Sequence, residues 1–280
     1  MSRFPVLMSL CTFLAVTAVP TRAGEPASAD EVIARYIEAI GGQARLDAVK
    51  SLRISGKARA GDGLELPITM EVKEPDKWRT EVRLQGLTLI FACDGQTGWF
   101  VNPATGKLDA EKMPPDMLKL MREQNDSFKG PLINYREKGY HVEFAGKEDL
   151  EGSPVYKLKV TRKDAAPDEA EYYFIDAEYF LPIRAKGKRR LQQMEIEYEI
   201  GFSDYKPVDG LLLAHAIHTQ AGPAGPSSVV FEKVEINPEI PDERFRMPPP
   251  SSQPASQPAA TQPTTTTSPA PGQEPASKKD

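Results

Sequence analysis

Few side chains in this sequence are spaced to do chemistry. There are three histidines and two cysteines. His215 and His218 lie three apart in a stretch with strand character. They therefore point to opposite faces and make poor co-ligands, and His141 stands alone. No Gly-x-Ser-x-Gly elbow, phosphate loop or zinc spacing occurs. Glu195, Glu197 and Glu199 share one face of one strand, which reads as a solvated outer face and not as a positioned acid–base pair. The run Lys186-Gly-Lys-Arg-Arg190 reads as a soluble hairpin tip, with a phosphate-headgroup contact as the sharper alternative. These observations give no catalytic residue, no metal site and no cofactor. A hydrolase using scattered carboxylates is the enzymatic alternative.

The chain is instead rich in apolar side chains set at regular spacing. Met70, Trp78, Val82, Phe91, Met194 and Tyr198 are expected to share one sheet face, joined by Trp99 and Phe100. Two helical segments offer apolar stripes to cover that face. One carries Tyr36, Ile37 and Ile40, and the other Met117, Leu120 and Met121. Methionine adapts to irregular apolar partners. Two readings stay open on pattern alone: a packed core, or a cavity for acyl chains beneath a movable cover.

The elements that position these residues follow from the periodicity. Ser28 with Glu31 forms a capping signature, followed by helical spacing to Ile40 and stopped by Gly41-Gly42. A shorter helix through Leu46 and Val49 comes next. From Leu52 the period changes to two, with turns at Asp62-Gly63, Glu74-Pro-Asp76 and Gln85-Gly86. Leu87 to Lys107 is the pivot of the pattern, two strands around Asp94-Gly95, with Gly98 letting the chain pass close to a neighbour. Pro67 hints at a sheet edge or a bulge. A helix over 114–124 and an irregular stretch to Tyr135 interrupt the strands. Strands resume at Tyr140 and run to Ile236, and Phe245 is expected to plug the end of the sheet. The total is about ten antiparallel strands with helices at the start and in mid-chain, an α+β chain dominated by β.

The two ends read differently. Arg3, the uncharged run Pro5 to Val19 and Thr21-Arg22-Ala23 have the form of a cleaved secretory signal peptide over 1–23; a retained anchor is the alternative. Cys11 lacks a usable lipobox. Removing 1–23 takes away two arginines and no acid, so the formal net charge moves from −5 to −7. That argues against nucleic acid as a partner. Cys93 then has no partner cysteine and reads as a small buried hydrophobe beside Phe91. Residues 248–280 are Pro, Ser, Gln, Ala and Thr with almost no large apolar side chain, the composition of a disordered spacer. The expected folded unit is 24–247.

Five segments resemble the outer-membrane lipoprotein-sorting proteins, the LolA/LolB-like superfamily. They are Gly41-Gly42 with Val49-Lys-Ser-Leu-Arg-Ile-Ser-Gly56, Cys93-Asp-Gly-Gln-Thr-Gly-Trp-Phe-Val-Asn-Pro103, Lys129-Gly-Pro-Leu-Ile-Asn-Tyr135, Gly146-Lys-Glu-Asp-Leu-Glu-Gly152 and Asp242-Glu-Arg-Phe-Arg-Met-Pro248. The resemblance implies a strongly curved, unclosed antiparallel β-barrel with helices over its concave apolar side. It also implies a periplasmic, non-catalytic binder of lipid or lipoprotein acyl chains, read here as a monomer, with envelope proteins as a further partner class. A protein-binding envelope-stress sensor of the same fold is the alternative.

Overall fold

The computed structural model describes residues 25–60, 63–125, 129–163, 169–191, 194–222 and 225–250. The expected signal peptide, and the expected tail beyond residue 250, lie outside the described residues.

Helix α1 (Ala29–Ala39) starts where the capping pattern placed it. The Ser28 hydroxyl accepts from the Glu31 N–H at 3.2 Å, and the Glu31 carboxylate reaches back to the Ala27 N–H at 2.7 Å. Helix α2 (Gln43–Ala48) follows the two glycines. The strands are β1 (Ser51–Ala60), β2 (Leu64–Lys73), β3 (Lys77–Leu84), β4 (Leu87–Asp94), β5 (Gly98–Val101) and β6 (Glu111–Lys112). Helix α3 (Pro115–Asn125) interrupts them. The second set is β7 (Tyr140–Leu150), β8 (Ser153–Arg162), β9 (Glu171–Asp176), β10 (Pro182–Leu191), β11 (Met194–Val208), β12 (Leu211–Ala221) and β13 (Pro226–Ile236). No described helix is long and apolar enough to cross a membrane.

Among the described residues, all thirteen strands belong to one antiparallel sheet, in the order β6-β5-β4-β3-β2-β1-β13-β12-β11-β10-β9-β8-β7. The sheet is unclosed: β6 and β7 are its two ends. The expected count was about ten. Part of the excess is β6, only two residues long and too short to show a period. The basic run is not a hairpin tip. Lys186 and Lys188 lie within β10, opposite Glu199 and Glu197 of β11. Pro67 is tolerated because pairing between β2 and β3 begins only at Ile68 with Val82, leaving its edge on that side without a strand partner.

Register fixes the two faces. Leu52, Val72, Trp78, Cys93 and Gly98 align across β1–β5, as do Ile54, Met70, Thr80, Phe91 and Phe100. These rows make the concave face, because the buried clusters under the helices are built from them. The alternate row, Arg53, Glu71, Arg79, Ala92 and Trp99, faces the convex side.

Trp99 therefore does not line the apolar face with Trp78. It is 2% exposed on the convex side, beneath a strap formed by the chain after β13. Its indole N–H donates to the Phe245 carbonyl at 2.7 Å, and the Arg79 guanidinium lies over its ring. Phe245 is fully buried in this strap and does not plug the end of the sheet. Charges fasten the strap. Arg244 donates to buried Glu71 at 2.8 Å and to Glu81 at 3.1 Å, while Arg53 takes the other Glu71 oxygen at 3.0 Å. Lys73 and Lys77 each reach Asp242 at 2.7 Å and hold its carboxyl at about 2.

Candidate functional site

The concave face is the candidate site, and two different covers lie on it. Under α1, Val32 and Ile33 pack on Leu158, Val160, Tyr173 and Ile175, with Leu132 and Tyr135 from the segment after α3 closing the side. Ile40, Leu46 and Leu211 continue the packing toward Leu52 and Ile54. Backbone contact fixes this cover, since the Leu212 N–H donates to the Ile40 carbonyl at 3.0 Å. Gly41 lies so close to β12 that a Cβ there would stand 2.4 Å from the Gly210 carbonyl oxygen. Asp30 bonds both Arg136 and the Tyr135 hydroxyl, which lowers its carboxyl below the usual range. Burial raises the Tyr36 and Tyr173 phenols, so they stay neutral at any physiological pH.

Under α3 the composition changes. Trp78, Cys93 and Met113 form the buried centre, and Val72, Phe91, Phe100, Met117, Leu118 and Met121 pack against it. Met117, Leu118 and Met121 are only half-buried. Leu118 nests over Gly98, where a Cβ would stand 2.4 Å from its Cδ1. This is the close approach that the glycine allows. Arg122 anchors the far end of the helix by donating to the Gly95 and Gln96 carbonyls at 2.9 and 3.3 Å.

Of the residues expected to line the site, the structure brings Trp78, Phe91, Phe100, Met117 and Met121 together in this second compartment. Met70 packs between the two halves, next to Ile54, and Val82 continues the concave row beside Ile68 and Leu89. Tyr36, Ile37 and Ile40 belong to the α1 cover. Tyr198 stands on the far half of the concave face, over Gly187, with its hydroxyl 3.1 Å from Glu171. The side chains of Met194 and Leu120 lie outside the described residues. Met113 was missed because Pro114 and Pro115 marked it as a helix start and hid its place beside Gly98, whose carbonyl accepts from the Met113 N–H at 2.9 Å.

Several other groups with chemical potential are buried or paired. Cys93 is free and fully buried. His215 is buried with Nδ1 2.9 Å from the Leu213 carbonyl oxygen. Glu195 and Glu197 pair with Lys188, and Glu199 with Lys186 and Arg184, as a salt-bridged outer face. An open convex groove of about 490 Å³ includes Arg59, Arg184 and His218, but Arg59 is paired with Glu65 and Arg184 with Glu151 and Glu199. No group of three or more metal-binding side chains occurs among the described residues.

A single curved, unclosed antiparallel sheet with helices over its concave apolar side is the LolA-like fold. Solved structures carry the same architecture. A LolA superfamily protein from Nitrosomonas europaea superposes with a TM-score of 0.51 at 12% identity, over 79% of this chain and 98% of that one. A domain described as an outer-membrane lipoprotein-sorting protein, from Vibrio parahaemolyticus, gives 0.51 at 14% identity, over 77% and 94%. A DUF1329 family protein from Desulfovibrio piger gives 0.52 at 13% identity, over 78% and 97%. At these identities the likeness is one of fold. No protein-family model and no curated protein sequence matches the chain.

Proposed function

We propose that the protein is an exported, non-catalytic carrier that binds the acyl chains of lipids or lipoproteins between the concave face and helices α1 and α3. The proposal includes a signal peptide over 1–23, a binding domain over 24–247, a disordered spacer over 248–280 and work in the periplasm. The observation that carries it is the α3 compartment: a concave apolar surface whose covering side chains Met117, Leu118 and Met121 are all only partly buried, next to an α1 cover that buries Val32, Ile33 and Ile40 and leaves Tyr36 and Ile37 partly buried. The fold shared with a lipoprotein-sorting domain supports the same reading. Each methylene taken from water contributes about 0.8 kcal/mol, so one long chain offsets the displacement of a few side chains.

The test is native mass spectrometry of the protein recovered from the periplasm, with uptake of a fluorescent acyl probe. Co-purified lipid, together with probe binding that Met117→Asp weakens at least tenfold, is the expected result. A bare mass with no probe uptake would overturn the carrier reading and move a protein-binding sensor to first place.

A further inference from the structure

The two tryptophans of the chain form an internal comparison. Both are almost fully buried, on opposite faces of the same part of the sheet. The Trp99 N–H has an acceptor, the Phe245 carbonyl. The Trp78 N–H is buried and has none among the described residues. Folded proteins seldom leave such a donor without a partner, and where one occurs it needs an explanation. Its surroundings account for the lack. Val72 and Cys93 flank Trp78 in the sheet, and Met113, Met117 and Leu118 belong to the apolar cluster around it. None of these side chains carries an oxygen.

We infer that Trp78 Nε1 is a recognition donor for the carbonyl oxygen of a fatty acyl ester or acyl amide. The inference rests on the carrier reading and adds the polar end of the ligand to it. The hydrocarbon runs along the concave face toward Met70, and the head leaves beneath α3, where Met117 and Met121 are half-exposed. A surface of hydrocarbon and thioether groups alone would take any alkyl chain. One buried N–H makes it select acyl over alkyl, because an ether oxygen accepts a hydrogen bond far less well than a carbonyl does.

The experiment uses three sixteen-carbon competitors with one phosphocholine head: the palmitoyl ester, the palmitoyl amide and the hexadecyl ether. Each displaces a fluorescent acyl probe from the exported protein. The expected result is that ester or amide binds about tenfold tighter than ether, a difference of about 1.4 kcal/mol. The ratio should fall close to one in Trp78→Phe, whatever that variant's absolute affinity. A preference for ester names a glycerolipid-type source and a preference for amide an N-acylated one; either supports the inference. Indole N–H resonances give a second reading on the unmodified protein. The Trp78 signal should move downfield with the carbonyl ligands alone, while that of Trp99 stays in place. Equal affinity for all three, with Trp78 unmoved, overturns the donor role and leaves the carrier reading standing. Binding of none of the three overturns both.

Discussion

Gly41 and Gly98 do the same work under two helices but against different surfaces. Each lets a cover approach the sheet where a Cβ would stand 2.4 Å from another atom. At Gly41 that atom is a backbone carbonyl oxygen of Gly210, and φ is +118°. At Gly98 it is the tip of Leu118, a side chain that can turn aside. The α1 seat is thus backbone against backbone, with Val32 fully buried behind it. The α3 seat is a side chain against backbone, with half-buried methionines and one arginine anchor. One cover is seated by backbone contact, and the other is seated by side chains.

The largest expected difference comes from the glycines themselves. Gly41→Ala should cost about 3 kcal/mol or more in urea denaturation, since both the φ angle and the backbone overlap must be relieved. Gly98→Ala should cost about 1 kcal/mol and chiefly displace α3. Equal costs would break the contrast. Truncation of the covers comes next. Ile33→Ala should lose about 3 kcal/mol, as for a buried aliphatic side chain, and Met117→Ala less than about 1 kcal/mol. Arg122→Ala should change stability by about 0.5 kcal/mol or less, because the anchor is solvent-exposed, yet it should raise amide exchange along α3 and the dissociation rate of an acyl probe. Unchanged exchange in that variant would mean that the methionines alone seat the helix.

The smallest effect is a control on the opposite face. Lys73 and Lys77 hold the folded Asp242 carboxyl at about 2, below its ordinary value. A depressed carboxylate pKa stabilises the folded state at pH above the unfolded value, about 3.9, and that contribution is lost as pH falls through 2. Acid titration from pH 5 to pH 2 should therefore loosen the strap, read as a change in the Trp99 indole resonance. If α3 loosened first and the Trp99 signal held, the strap would not depend on Asp242.

The strand pattern of the sequence carried most of this architecture, because a period of two survives wherever one face is buried. The α1 cap, the two-glycine stop and the hairpin at Asp94-Gly95 were all legible from local chemistry. Trp99 and Phe100 show where legibility ends. Both are large and apolar, and only register against Ala92 and Phe91 decides which one faces inward. The convex side also buries apolar groups, because the strap covers it, and no period announces a strap. Phe245 was misplaced for the same reason. The orphaned Trp78 donor could not have been read from sequence at all, since it is defined by atoms from β2, β4 and α3 that come together only in three dimensions.

The strand order has a consequence for how the chain reaches this state. Strands β1 to β6 pair only with sequence neighbours or across one seam, and so do β7 to β13. The sheet is two locally wound ribbons joined where Leu52 meets Ile236. Each ribbon can assemble by short-range closure, whereas the seam must bring together residues from opposite ends of the domain. Pairing of β1 with β13 is thus the step with the highest loop-closure entropy, and it is the step expected to slow folding most.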